Sequence, residues 1–313
     1  MSYAYSLSKK NYLRLSGFEN YKKDFLKIKK LLKKDLIRVS ENYLNRKILG
    51  KDSISHNIIN GLSVSAFKIP KLKNKNYKTK EKILIASHCF TDAVHAYGRA
   101  LFADYYEWLT YLGELSNKMD HEWIIKIHPA QYDRNLEQMN IFLRKFKKFS
   151  LVPKNKSHNE IISENKILYV LTVYGSVGHE YPLFGIPVIN ASVNNPHQAY
   201  KFNYNPSSIK EYEYLIMNFK KFKKINLKRN KKEIFEYYYM RFLSEYHLMK
   251  NPMKTINTLK KNYSSPLIFR EWLKQFNLKF HEKRLNDYKK FILSNKFRMH
   301  ADNTTQNSNY LDI

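Results

Sequence analysis

ILYVLTVYGSVGHEYPLFGIPVINASVNNPHQ, residues 167–198, is the stretch whose reading decides the fold. Ile167 to Val173 is a short run of large apolar residues, with the length and β-branched content of a buried parallel strand. It stops at Tyr174-Gly175-Ser176-Val177-Gly178. His179 to Phe184 reads as one or two helical turns broken by Gly185, and Ile186 to Asn190 reads as the next strand. Strand, Gly/Ser loop, short helix, Gly-x-Pro and strand make a βαβ crossover, with the loop at the carboxyl end of its first strand. Open α/β sheets bind ligands at such loops. The amides of Ser176, Val177 and Gly178 are expected to point out of a helix start, where a phosphate would sit. Glu180, one turn in, is placed to accept from a hydroxyl such as a ribose OH. The plainer alternative is an ordinary tight βα turn.

Further strands and helices extend the pattern in both directions. Lys82 to Ser87 reads as a buried strand, followed by a polar loop whose His88, Asp92, His95 and Arg99 are candidate substrate contacts. An amphipathic helix then covers 101–119. Glu122 to Ile127 is the next strand, ending in His128-Pro129. Leu136 to Phe149 reads as a helix, 150–153 as a short strand, and Ser157 with Glu160 as a capping box. The loop Asn194 to Tyr200 closes the same sheet edge, so Asn195, His197 and Gln198 are candidate substrate contacts. His88, Asp92 and His95 offer weak metal-ligand spacing, and loop and cap chemistry explains them equally well. No metal is expected.

The order Glu180, Gly185, Pro187-Val188-Ile189 resembles the donor-binding segment of GT-B glycosyltransferases. GSVGHEYPLFGIPVINA, together with the upstream KIHP at 126–129, resembles the capsule and surface-polysaccharide branch of that superfamily. The resemblance covers roughly 80–200. It implies an α/β fold with a Rossmann-like, GT-B C-terminal-type parallel sheet, carrying helical N- and C-terminal extensions. It implies a nucleotide-activated sugar as substrate, no separate cofactor, and a surface-glycan acceptor, lipid-linked or polymeric. Gly175, Ser176, Val177, Gly178 and Glu180 would bind the donor, with Glu180 on the ribose and His128 beside the donor phosphate. GT-B enzymes pair two Rossmann-like domains, and residues 1–79 are too few and too helical for a full first one, so either a helical subdomain replaces it or the chain is an inactive, truncated transferase. The catalytic base has no clear owner in this sequence; Asp92 and Asp104 are candidates.

The 313 residues suffice for two domains. The organisation read from composition is a basic helical region and linker at 1–79, the sheet domain at 80–262, a helix at 263–298 and a disordered tail at 299–313. One cysteine, Cys89, excludes an internal disulfide framework. With neither a long apolar run nor a signal-type N-terminus, a cytoplasmic protein is expected. The net charge of +29 is unevenly spread: 20 Lys/Arg face 5 Asp/Glu over 1–80, whereas 81–200 holds 12 of each. The basic flanks admit three readings: solvated surface, attraction to an anionic membrane, or nucleic-acid binding as a non-enzymatic module. No nucleic-acid motif supports the last, so nucleic acid is the less favoured partner. Attraction to an anionic membrane would make the protein peripheral at the inner face of the membrane. Phe25, Ile28, Leu31, Leu32 and Leu36 are spaced as one helical stripe, to pack on the protein's own core or lie on a membrane.

Overall fold

The computed structural model describes residues 18–49, 67, 80–93, 99–127, 132–221, 227–244, and six positions of 282–293 with 294. Two compact units partition the chain: 18–241, and 1–17 with 242–313. Almost all that is described belongs to the first. In the second, the described positions between 282 and 293 are helical, and the tail at 299–313 lies outside the described residues.

Five parallel strands form one sheet in the order β3-β2-β1-β4-β5: β1 (Lys82–Ala86), β2 (Glu122–Lys126), β3 (Phe149–Leu151), β4 (Ile167–Thr172) and β5 (Val188–Asn190). Alternation along each strand sends side chains to opposite faces. Ile83, Ile85, Trp123, Ile125, Tyr169 and Leu171 enter one core cluster. Leu84, Ile124, Val170 and Val188 enter another. Helices α3 (Tyr105–Ser116), α4 (Tyr132–Lys145) and α7 (Ile209–Met217) contribute to the first. Helices α5 (His158–Glu164) and α6 (Val177–Glu180) contribute to the second. Both faces are covered, which is why the strands read as almost unbroken apolar runs. The α/β architecture is therefore a doubly wound parallel sheet compatible with a Rossmann-like fold.

The connections β1–α3–β2 and β2–α4–β3 run over one face, and β3–α5–β4 and β4–α6–β5 over the other. The direction of winding reverses between β1 and β4, and open α/β sheets bind ligands at the carboxyl edge of such a reversal. The turn into β5 depends on Gly185, whose φ of 79° is left-handed.

Several local readings are corrected. The stripe from Phe25 to Leu36 does not lie on one helix. The chain breaks at Ile28-Lys29, both extended (ψ 142° and 132°), between α1 (Tyr21–Lys27) and α2 (Lys30–Ile48). The break rotates the helical phase. Phe25 and Ile28 are buried, Leu31 is 89% exposed, and α2 instead buries Ser40, Leu44 and Ile48. The helix expected from 101 begins at Tyr105, because Asp104 caps it by accepting the Glu107 amide at 2.7 Å. The Ser157–Glu160 capping box is present as read.

Helices α1 and α2 belong to the same compact unit as the sheet. They pack against α8 (Leu227–Tyr238), with Tyr21 beside Tyr237 and Lys22 paired to Glu233 at 2.7 Å.

Candidate functional site

At the winding reversal, β1 delivers His88 and β4 delivers Thr172, Tyr174, Gly175 and Ser176. His88 Nε2 and Thr172 Oγ1 are 3.1 Å apart, and the Tyr174 amide points at the same nitrogen from 3.5 Å. Thr172 and the Tyr174 amide thus converge on one ring nitrogen of His88. Thr172 Oγ1 also accepts from the Gly175 amide at 3.2 Å. One histidine thus ties the ends of two neighbouring strands into a single floor. Its ring stacks on Tyr105 (centroids 4.7 Å, 9° between planes) and lies 4.7 Å from the Tyr174 ring. The Tyr105 and Tyr174 hydroxyls are hydrogen-bonded to each other, and Tyr174 donates to the Ala93 carbonyl at 2.8 Å.

The Gly/Ser loop departs from its expected role in part. Ser176 is exposed at the edge, but the Gly178 amide donates to the Gly175 carbonyl at 3.0 Å, closing a tight turn. Val177 is buried in the core of the second face. Gly178 serves packing: a Cβ there would meet His197 Cε1 at 2.4 Å. The helix after the loop is one turn long, so of the three amides expected to face a phosphate, Gly178's is taken.

Glu180 is buried and paired. Its carboxylate accepts from Lys47 of α2 at 2.7 Å and from Ser176 Oγ at 3.2 Å. The expected ribose acceptor is instead the inner anchor of the loop, with Ser176 the outermost member of the chain of bonds.

The 194–200 loop folds inward. Asn195 donates to the Ser192 carbonyl and to Asn205, and accepts from the His197 amide. His197 and His179 are buried side by side, Nε2 to Nδ1 at 3.3 Å. Desolvation pushes both well below the ordinary histidine range, and the positive charges of Lys47 and Arg241 push His179 further. For His197, Arg241 and His179 act in the same direction against a smaller opposing effect of Glu180. Gln198 is half-buried and bonded to Asn194. Asn195 and His197 are thus internal supports and do not line the edge.

Arg99 is exposed, and its carbonyl accepts from the Val193 amide at 3.0 Å, which sets it beside the end of β5. Asp92 is exposed in a turn closed by its amide on the Cys89 carbonyl at 3.1 Å. Asp104 is committed to its helix cap. His95 and His128 lie outside the described residues; β2, which leads toward His128, ends at the same edge as β1 and β4 because all three strands run parallel. Lys126, which opens the Lys-x-His-Pro motif, is buried and donates to the Pro153 and Lys154 carbonyls at 3.2 and 3.1 Å.

Tyr105, Thr172, Tyr174 and Lys47 do not stand out as site residues in the sequence. Thr172 carried a signal, as a hydroxyl ending an otherwise apolar strand. Lys47 carried none, since it looks like every other lysine of a basic helix.

Among the described residues no group of three or more His, Cys, Asp or Glu converges as metal ligands would. Also among them, no helix is long and apolar enough to cross a membrane. No family model and no curated protein matches the chain.

Proposed function

We propose that the protein is a glycosyltransferase of the GT-B type that moves a sugar from a nucleotide-activated donor to a surface glycan such as capsule or lipopolysaccharide. The observation supporting this is the junction of His88 with Thr172 and the Tyr174–Ser176 loop at the winding reversal of a parallel sheet. In this reading Ser176 meets the donor and Glu180 acts through it, holding its hydroxyl while Lys47 neutralises the buried carboxylate. His128 receives the leaving phosphate, stabilising charge that develops as the glycosidic bond breaks. His88 is a positioning residue. Asp92, exposed beside the β1 loop, is the candidate base for the acceptor hydroxyl. No cofactor is required beyond the donor itself.

Titration calorimetry with UDP-, CMP- and CDP-linked sugars tests the reading. One donor class is expected to bind the wild type. His88→Phe keeps the stacking on Tyr105 but loses the Nε2 bonds, and should weaken binding about tenfold, the worth of roughly one hydrogen bond. A folded wild type that binds none of the three classes rules the proposal out. Tight RNA binding untouched by Ser176→Ala would instead favour the nucleic-acid module.

A further inference from the structure

We infer that the bend between α1 and α2 is a membrane-docking tip for an anionic lipid surface. The break at Ile28-Lys29 makes an elbow with a buried and an exposed side. Its inner side is pinned: Phe25 and Ile28 are buried, and Phe25 meets the Tyr239 ring edge-on at 6.1 Å. Its outer side presents Leu26, 67% exposed, and Leu31, 89% exposed, the most exposed of the large apolar side chains described. Isolated exposed leucines are ordinary on protein surfaces. These two are surrounded by lysine. Residues 22–34 hold seven lysines against one acid, Asp24, and Asp24 is paired to Lys27 at 2.8 Å. Lys23, Lys29, Lys30 and Lys34 are exposed.

Charge and shape together select the partner. Anionic headgroups attract nearby basic side chains, each worth about a fivefold gain in partitioning, while leucines enter the acyl boundary beneath. Nucleic acid would use exposed aromatics for stacking, and the elbow's aromatic, Phe25, faces inward. The contact is confined to the elbow and the first turns of α2. Farther along, the basic run gives way to Asp35, half-exposed and paired to Arg38 at 3.4 Å, and then to Glu41 and Asn42, both exposed. The docking tip stands on this geometry alone and does not depend on glycosyl transfer.

Flotation of the full-length chain with phosphatidylcholine vesicles, with or without about 30% phosphatidylserine, tests it. The chain should float with the anionic vesicles, at least about tenfold better than with neutral ones, and come off in about 0.5 M salt, where screening is nearly complete. Leu26→Ser with Leu31→Ser should lower recovery about fivefold, and Lys29→Glu with Lys30→Glu by more than about tenfold. All four positions are exposed, so unchanged thermal melting is expected and checks the fold. Equal recovery on both vesicles, none on either, or wild-type recovery for both variants would overturn the inference. So would loss in the lysine variant with none in the leucine variant, which would leave attraction without insertion. Binding to single-stranded RNA in place of vesicles, sensitive to the lysines alone, would replace it with a nucleic-acid surface.

Discussion

Gly178 and Glu180 are two positions where a motif residue has an internal task. The absent side chain of Gly178 lets His197 approach to a distance no Cβ tolerates. Gly178→Ala should destabilise the protein by about 1–3 kcal/mol through overpacking, measured by chemical denaturation. Glu180 is enclosed and its partner Lys47 is about a third exposed. Removing the cation alone strands a buried carboxylate. Lys47→Met should cost about 2–4 kcal/mol, and adding Glu180→Gln should recover part of that, giving a non-additive double-mutant cycle. Additive losses would mean that the two side chains do not interact in solution.

At the scale of elements, the one-turn helix α6 is anchored through His179, which is buried against His197 of the following loop. His179 and His197 are shifted below the ordinary histidine range, so the folded state holds them neutral while the unfolded state protonates them below about pH 6.5. Their stabilising contribution is present above that pH and declines as pH falls through it toward their folded values. Stability should therefore drop as pH falls below about 6.5. His197→Gln should remove about one proton's share of that slope, roughly 1.4 kcal/mol per pH unit. Denaturation midpoints across pH, compared between wild type and variant, give the measurement. An unchanged slope would mean that His197 protonates within the fold.

The same elements show what was legible in sequence. Strands β1, β2 and β4 were read correctly because a strand covered on both faces writes itself as a continuous apolar run. The capping box at Ser157 was read because its two partners are three residues apart. The Ile28-Lys29 bend was not, because Lys and Ile carry no breaker signal and the tertiary burial of Phe25 and Ile28 sets the helical phase. The His88–Tyr105–Tyr174 box was half read. Its histidine stood out as polar in a strand-end loop, but Tyr105 looked like one more apolar position of an amphipathic helix.

For the whole molecule, α1 and α2 form part of one compact body with the sheet. Tyr21 and Leu44 are fully buried, and Lys47 neutralises a buried charge next to the loop. Deleting residues 1–49 should uncover the outer side of α6 and α8, and the remainder should lose cooperative melting and bind hydrophobic dyes. A truncated protein that melts as sharply as the full chain would show that the two helices are an accessory. Hydrogen exchange on the intact chain should find the amides of α2 opening together with those of β4.

The sheet ends in two strands of three residues each, β3 and β5. On the β5 side the border is not bare. Asn190 donates to the Tyr204 carbonyl at 2.9 Å, and Tyr204 donates back to Val188 at 3.0 Å. A one-residue strip therefore occupies the ladder that a foreign strand would need, and Pro206, two residues on, has no amide to offer it. The opposite border is too short to template a long partner. Among the described residues, the β5 flank of the sheet is thus closed against a foreign strand by a segment that follows it in sequence, so a chain cut before Tyr204 should leave that flank open to fibril-like pairing.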